Sequence, residues 1–228
     1  MKTNMDEIKR IAKTLAYTTV NFDEQIPFIV HHPFFQTSVY TIGGEKFRML
    51  DLTNCEEREL AIKNVVKIIE KVKGISEFFM LVTKPYLPAF FKFTHKYMSE
   101  QDYAEFLSEM WTYVEFPNND ANISKLEFIK LFEKANKDFL MTKDELQYIE
   151  QMPEEITIYR GLNGKASVKA LSWTTDISKA EWFANRFGGN GEVHSAKVNK
   201  RDILAYFTGR GESEVVVNFK KLREIQKI

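Results

Sequence analysis

The change in sequence pattern at Pro153 constrains the fold of this chain more than any other feature. Before it, apolar residues recur near helical spacing, most clearly in EERELAIKNVVKIIEKVK, which stops at Gly74. After it come five short runs rich in β-branched and aromatic residues: EITIYRGL, ALSWTT, EVHSAKV, DILAYF and EVVVNF. One helical stretch, SKAEWFANRF, interrupts them between Ser178 and Phe187. A helical region followed by a β-rich region predicts an α+β fold.

Further elements are predicted before the change. EIKRIAKTLAY and SEQDYAEFLSEMWTYV have the pattern of amphipathic helices, and TSVYTI and EKFRML on either side of a Gly-Gly pair predict a hairpin. Ser124 with Glu127, and Thr142 with Glu145, have the spacing of a capping box and predict two more helix starts. In the proline-containing stretch KPYLPAFF the helical periodicity breaks.

The length of 228 residues allows one large domain or two small ones, and 19 phenylalanines are enough to fill a core. Helical patterns resume near residue 98, which predicts a boundary between a helical or mixed accessory region (1–97) and a second domain (98–228). Lysine plus arginine equals aspartate plus glutamate at 32 each. This balance argues against a protein that depends on contacts with the nucleic-acid backbone, and it leaves room for a local basic groove.

The single cysteine, Cys55, has no partner in the chain for a disulfide, and no spacing of Cys and His residues indicates zinc. The N-terminal stretch MKTNMDEIKR has early acidic residues and lacks the apolar segment of a signal peptide. The longest apolar stretch, FFMLVTKPYLPAFFKF, is interrupted by prolines and lysines. These features predict a cytoplasmic protein in a reducing compartment, with no metal and no membrane partner.

Several familiar site motifs do not fit this sequence. No G-x-G-x-x-G follows a predicted strand, so a Rossmann cofactor site is not indicated. GLNGKAS has two residues between its glycines where a P-loop needs four. His31 and His32 lie side by side without further ligands at metal spacing, so a structural or exposed pair is favoured over a metal site.

Two motifs of the β-rich region carry candidate polar chemistry. Arg160 lies near the end of an apolar strand in EITIYRGL, where its fork of donors can bind phosphate; an ordinary salt bridge is the alternative. Ser172 and Thr174 in LSWTTD share one face of a predicted strand. Their hydroxyls can brace other polar side chains by hydrogen bonds, and a plain half-buried strand is the alternative.

A third motif, GRGESEVVV, places two carboxylates, Glu212 and Glu214, at the start of an apolar strand. In an extended chain, residues two apart point to the same side, so this pattern holds two like charges close together. Glu214 shares a face with Val216 and is predicted to be the more buried carboxylate. Either both carboxylates lie in solvent on an edge strand, or a site needs both.

The order Arg160, then Ser172 with Thr174, then Glu212 with Glu214, on successive strands, resembles the mono-ADP-ribosyltransferases of the arginine–serine–glutamate class. These are the cholera-toxin-like enzymes. The resemblance covers roughly residues 100–228 and includes YRG, SWTT, the helix motif AEWFA and GESEVVV. It implies a split β-sandwich core and an enzyme that cleaves the nicotinamide–ribose bond of NAD. ADP-ribose would then pass to a macromolecular acceptor without a metal.

The resemblance also implies roles for individual residues. Glu214 would stabilise the cation that forms on the ribose, and Glu212 would orient or deprotonate the acceptor. Arg160 would hold the NAD phosphates and ribose, while Ser172 would brace Glu214 and the nicotinamide pocket. The residues predicted to bind NAD are Arg160, Gly161, Ser172, Trp173, Thr174, Phe183 and Glu214. The residues predicted to recognise the acceptor, in or beside the loop YFTGRGE, are Phe207, Arg210 and Glu212.

The sequence departs from the family pattern at Ser-Trp-Thr, where Ser-Thr-Ser is frequent, but the first serine is kept. A glutamate two residues before the catalytic one is associated in the family with arginine acceptors, so a protein arginine is favoured. RNA or DNA as the acceptor, simple NAD hydrolysis, and a non-catalytic binding module on the same fold are the alternatives. The closest functional type is an intracellular bacterial toxin or phage effector, for which a neutralising antitoxin or inhibitor protein is an expected partner.

Overall fold

Contacts between residues divide the computed structural model of this chain into two units, Met1–Phe106 and Leu107–Ile228. The dividing point falls inside one helix, Glu100–Tyr113, a short way beyond the boundary near residue 98 that the sequence predicts. The residues that the structure describes are 2–43, 47–115, 117–164, 166–186, 188 and 191–228, with the backbone alone at position 210.

The first unit combines helices with two small antiparallel sheets, one formed by β1 and β2 and the other by β3 and β4. Its elements are α1 (Met5–Ala16), β1 (Asn21–Phe22), β2 (Val30–His31), β3 (Val39–Ile42), β4 (Arg48–Asp51), α2 (Cys55–Lys71), α3 (Ile75–Leu81), α4 (Leu87–Thr94) and the start of α5 (Glu100–Tyr113). The pairing of β3 with β4 confirms the predicted hairpin; of the Gly-Gly pair predicted to form its turn, Gly44 lies outside the described residues.

Helices α1 and α2 form where the sequence predicts them. The side chain of Asn4 accepts a hydrogen bond from the first turn of α1, and Asn54 does the same for α2. Each helix then buries a stripe of residues spaced four apart, the side of a helix that meets a core. These residues are Ile8, Ala12 and Ala16 in α1, and Ala61, Val65 and Ile69 in α2.

The stretch KPYLPAFF forms a helix despite its broken periodicity. Pro88 lies in the first turn of α4, where a missing amide proton costs no helical hydrogen bond. The ring of Phe91 stacks on Phe106 with centroids 5.7 Å apart, and Phe90 packs on Phe78 at 5.0 Å. Phenylalanines therefore fill the core of this unit, as the composition predicts.

The two adjacent histidines of the first unit lie in different environments. His31 is exposed, whereas His32 is completely buried and stacks on Phe35 with ring centroids 4.6 Å apart. Burial lowers the pKa of His32 to about 4, although the backbone of Ala16 and Thr18 acts in the opposite direction. This is a structural histidine beside an exposed one, the arrangement favoured by the sequence.

Acidification is expected to destabilise the first unit, because His32 takes up a proton more readily in the unfolded chain than in the folded one. The ordinary pKa of 6.5 and the folded value of about 4 correspond to a contribution of up to ~3 kcal/mol to the free energy of unfolding. This contribution is fully present above pH 6.5 and is lost progressively as the pH falls to about 4. Urea unfolding followed by NMR signals of this unit, at several pH values across that window, measures the loss.

Replacing His32 by Gln should reduce this pH dependence, whatever it does to stability at neutral pH. His31→Gln, the same change at the exposed neighbour, is the matched control and should keep the wild-type slope. A His32→Gln variant with the wild-type slope would show that another group causes the acid sensitivity.

The second unit continues with helices and then builds a sheet. Its elements after the end of α5 are α6 (Lys125–Lys134), α7 (Lys137–Leu140), α8 (Lys143–Gln151), β5 (Glu155–Leu162), β6 (Ser172–Thr174), α9 (Ile177–Asn185), β7 (Glu192–Asn199), β8 (Ile203–Phe207), β9 (Glu214–Val217) and β10 (Arg223–Lys227). Helices α6 and α8 begin at the predicted capping boxes of Ser124 with Glu127 and Thr142 with Glu145.

The six strands described in the second unit form one antiparallel sheet in the order β10-β7-β5-β6-β9-β8. Strands β5 and β7 pair along their whole lengths, whereas the described strands β5 and β6 pair only at Tyr159 and Thr174. The sheet is therefore two three-stranded halves that meet at one residue pair. Helix α9 packs on β5, next to this junction.

The mixture of helices with an antiparallel sheet agrees with the predicted α+β class, and each of the five β-rich runs contains a strand. ALSWTT contributes only Ser172–Thr174, and α9 begins after a cap by Asp176 instead of at Ser178. Strand β10 was missed, because Arg223–Lys227 is exposed at every position and has no apolar alternation.

Candidate functional site

Strand β5 carries Arg160 towards the junction of the two half-sheets. Ile156 and Ile158 lie on one face of this strand and are buried, and Arg160 continues that face two residues later. The half-buried guanidinium donates from Nε to the carbonyl of Ser167 at 3.1 Å and from Nη1 to the carbonyl of Ser172. Arg160 thus ties its own strand to the loop after it and to the start of β6.

The register of β6 and β9 brings Ser172 to Glu214. Thr174 pairs with Glu214, and Ser172 pairs with Val216, so Ser172 and Glu214 are diagonal neighbours on adjacent strands. The side chain of Ser172 hydrogen-bonds the carboxyl group of Glu214. The serine of the second motif and the glutamate of the third are therefore in direct contact.

Glu214 is half-buried at the start of β9 and is the centre of the polar cluster. Its Oε1 accepts a hydrogen bond from the indole Nε1 of Trp111 at 3.0 Å. Burial raises the pKa of Glu214, and the negative charge of Glu212 raises it further. Hydrogen bonds from Ser172 and Trp111, and the positive charge of Arg160, lower the pKa but offset the rise only in part.

Burial also lowers the pKa of Arg160, to about 10, while the charge of Glu214 acts against that decrease. Arg160 therefore stays protonated at neutral pH. Lys125, the first residue of α6, is a second cation near it, because burial and then the charge of Arg160 lower the pKa of Lys125. Two cations and two carboxylates consequently share one part of the second unit, a concentration of charge typical of functional sites.

The loop before β9 is turned and not extended, which corrects the geometry assumed for the glutamate pair. Residues Gly209–Gly211 form a short 3₁₀ helix, Glu212 has right-handed helical angles, and Ser213 has a positive φ of 47°. Alternation along a strand therefore does not explain the proximity of the two carboxylates. The Thr174 hydroxyl donates to the carbonyl of Glu212 at 2.8 Å and holds the loop against β6.

The other side of the same loop is anchored by Glu145, a buried carboxylate of α8. Its Oε1 accepts hydrogen bonds from the backbone amide of Thr208 at 2.8 Å and from the Thr208 hydroxyl at 3.0 Å. The loop that carries Glu212 is thus fixed at both ends. Such anchoring suits a side chain that has to point at one reacting atom.

Two residues predicted to bind NAD have structural contacts of their own. Trp173 is 2% exposed, lies on the opposite face of β6 from Ser172, and donates its indole N–H to the carbonyl of Ala170 at 3.1 Å. Thr174 is 5% exposed, and its hydroxyl serves the loop. Both side chains therefore support the cluster from within the fold, and their roles in NAD binding stay predictions.

Gly161 and Phe183, also predicted to bind NAD, lie where β5 meets α9. A Cβ on Gly161 would come within 2.0 Å of the backbone oxygen of Ala180, so the glycine is needed for the close approach of strand and helix. Phe183 is half-buried and packs edge-on against Trp182 at 5.0 Å, with the Arg186 guanidinium 5.3 Å from the Phe183 ring centroid. Gly161 is therefore required by close packing, whereas the ring of Phe183 remains partly exposed.

The predicted acceptor contacts differ in burial. Phe207 ends strand β8, is 3% exposed and packs against Phe132, so its ring is part of the core. Glu212 is half-buried on the loop. Arg210 lies in the 3₁₀ turn, and its side chain is outside the described residues.

Sequence reasoning missed Trp111 and Lys125. Trp111 follows Tyr103 and Leu107 at helical spacing, and all three are buried, so the sequence identifies a core position. Nothing in the sequence indicates that its indole N–H donates to a carboxylate 103 positions later. Lys125 follows a helix cap and has the pattern of an ordinary surface lysine.

Searches of protein-family models, curated proteins and solved structures found no match to this chain. Among the described residues, no group of three or more His, Cys, Asp or Glu side chains is placed to hold a metal ion. In the same part of the chain, every helix is too short or too polar to cross a bilayer. The interpretation of the site therefore depends on its own geometry.

Proposed function

We propose that this protein is an NAD-dependent mono-ADP-ribosyltransferase that acts in the cytoplasm as an intracellular toxin or phage effector. The observation that carries the proposal is the contact of the Glu214 carboxyl with Ser172, under the positive charge of Arg160. Residues far apart in the chain meet there in the combination that the resemblance to arginine–serine–glutamate transferases requires. The division of the sheet into two halves, with these residues near the junction, supports the same proposal.

Glu214 has the properties that the first step needs. As the bond between ribose C1′ and the nicotinamide nitrogen breaks, its electron pair leaves with nicotinamide and positive charge develops on the ribose. A partly buried carboxylate stabilises such a charge more strongly than one in water. Ser172 and Trp111 hold the carboxylate in one orientation by hydrogen bonds.

Arg160 contributes charge and order to this site. Two of its guanidinium nitrogens already donate to the carbonyls of Ser167 and Ser172. In this proposal Arg160 fixes the entrance of β6 and adds positive charge beside the NAD phosphates, while Lys125 supplies a second cation. This role is more structural than the one that the resemblance implies, in which Arg160 holds the NAD phosphates and ribose.

Glu212 serves the second step. The nucleophile of the acceptor forms a bond to C1′, and its proton passes to the Glu212 carboxylate as general base. The charge of Glu212 acts on Glu214, which supports the proposal that the two carboxylates serve one site. A protein arginine is the favoured acceptor, and a neutralising partner protein is the expected means of control.

The function is tested with the full chain, cell lysate and NAD labelled in its adenylate phosphate. Release of nicotinamide together with label that protease removes is the expected result. Label removed by ribonuclease or deoxyribonuclease would make a nucleic acid the acceptor, and free ADP-ribose alone would make the protein an NAD hydrolase. Absence of both nicotinamide release and label would overturn the proposal and leave a binding module.

Glu212→Gln is expected to separate the two steps. Transfer to the acceptor should fall by about 10²-fold, because the general base is lost, while nicotinamide release in the absence of acceptor should persist, because Glu214 is intact. Rates of nicotinamide release and of label incorporation, measured side by side, check this.

Glu181→Gln, the same change at an exposed carboxylate of α9, is the control and should alter neither rate. Equal loss of both rates in Glu212→Gln would mean that the two glutamates do not divide the work as proposed.

A further inference from the structure

Trp111 makes a contact that core packing alone does not require. The residue lies in α5 and is 2% exposed. Its ring is held edge-on by Phe128 at 5.2 Å and by Phe132 at 5.0 Å, with interplanar angles of 76° and 87°. Within this aromatic cage the indole N–H is aimed at Oε1 of Glu214, 3.0 Å away.

We propose that Trp111 is the positioning residue that keeps the Glu214 carboxylate ionised and oriented for its role in the site. The effect of Trp111 on catalysis rests on the function proposed above. The hydrogen bond itself is a property of the folded chain, and it can be tested without NAD.

The donor-only character of indole is the physical reason. An indole N–H can donate but cannot accept, whereas the Ser172 hydroxyl can do either. Ser172 can therefore serve a protonated carboxyl as well as an ionised one, but Trp111 always favours the ionised form, because a charged acceptor makes the stronger hydrogen bond. Both contacts lower the pKa of Glu214, but of the two only the indole of Trp111 is unable to accept a hydrogen bond from a protonated carboxyl.

This selection matters because other groups act on Glu214 with opposite signs. Burial and the charge of Glu212, on the preceding loop, favour the protonated form, whereas the charge of Arg160 on β5 favours the ionised form. The indole dipole favours the ionised form of Glu214, as the charge of Arg160 does, but it adds no net charge. It also acts from a rigid position, since the edge-to-face contacts with Phe128 and Phe132 hold the ring.

The test is Trp111→Phe, which keeps an aromatic ring in the cage and removes the donor. We expect the pKa of Glu214, followed by ¹³C NMR of its carboxyl carbon, to rise, with the resonance assigned from Glu214→Gln. In turnover, the acid limb of the pH profile should move to higher pH. Above that limb kcat for nicotinamide release should fall about 10- to 100-fold, with little change in KM for NAD.

Trp173→Phe is the matched control for the NMR titration. Trp173 is as buried as Trp111, and its indole also donates at 3.1 Å, but to the backbone carbonyl of Ala170. Loss of this donor should leave the titration of Glu214 unchanged. If Trp111→Phe left it unchanged as well, the inference would be overturned.

A measurement on the wild-type protein covers the case in which Trp111→Phe does not fold. The ¹⁵N–¹H signal of the Trp111 indole should shift as Glu214 titrates, while the signals of Trp173 and Trp182 should not follow that titration. If the indole signal of Trp111 did not shift while Glu214 titrates, the inference would be overturned. An NMR titration as expected in a protein without NAD turnover would leave the Trp111–Glu214 link standing and remove only the proposed function.

Discussion

Glu214→Gln should reduce the release of nicotinamide from NAD by about 10³-fold or more. The change removes the one negative charge that is both partly buried and hydrogen-bonded by Ser172 and Trp111. Removal of a single preorganised electrostatic group in an active site costs about 10²- to 10³-fold in rate. A carboxylate that faces a developing cation belongs at the upper end of that range.

The same variant should keep its fold and its affinity for NAD. The glutamine carbonyl can still accept from Trp111 and Ser172, and burial of a neutral amide avoids the cost of burying a charge. Thermal unfolding and NAD binding by calorimetry check both points, and nicotinamide release is measured by chromatography. Glu181→Gln on the exposed face of α9 is the control for an isosteric change in the same unit.

Unaltered turnover in Glu214→Gln would remove the proposed mechanism. Loss of turnover together with loss of the fold would instead make Glu214 a structural residue, and the proposal would fail on that result too. The combination of a folded, NAD-binding and inactive variant is the one outcome that agrees with the mechanism.

Gly161→Ala should destabilise the second unit by about 3 kcal/mol or more. An inserted methyl group costs more than usual where it meets backbone atoms that cannot move away. The added Cβ would lie 2.0 Å from the Ala180 oxygen and 2.6 Å from the Ala184 nitrogen. Both are backbone atoms of α9, so no side-chain rotation relieves the clash. In a unit of this size the loss corresponds to a decrease of roughly 10 °C or more in the unfolding temperature.

Gly209→Ala is the matched control for this prediction. A Cβ at Gly209 meets nothing within 4 Å, so the same glycine-to-alanine change should leave the unfolding temperature nearly unchanged. Intrinsic tryptophan fluorescence is a suitable probe, since Trp111, Trp173 and Trp182 all belong to the second unit. If both variants had the same unfolding temperature, the close packing of β5 on α9 would not be the reason that position 161 requires glycine.

The local elements of the fold were predictable because their causes are local. Caps such as Asn54 and the Ser124–Glu127 box act within one turn, and the β-rich runs after Pro153 carry their own alternation. The misses are equally physical. Helix α4 tolerates Pro88 because that residue lies in its first turn, and β10 has no apolar face to reveal it.

The candidate site divides in the same way. The sequence identified Arg160, Ser172 and Glu214 through strand context and order, and the structure brings these three together. It did not identify Trp111. It assigned NAD binding to Trp173 and acceptor recognition to Phe207, whose side chains are both buried. An aromatic residue in an apolar pattern looks the same in sequence whether it lines a pocket or fills a core.

The sequence by itself determined most of the helical and extended segments and the polar residues that lie near the ends of the strands, because these depend on neighbours within a few positions. Only the tertiary structure decided that Ser172 lies diagonal to Glu214, that the turn at Ser213 carries Glu212, and that an indole of α5 donates to the same carboxyl. Strand register and the direction of a buried donor are set by packing between segments far apart in the chain. That packing minimises the free energy of the whole unit, so it cannot be derived from any short stretch of the sequence.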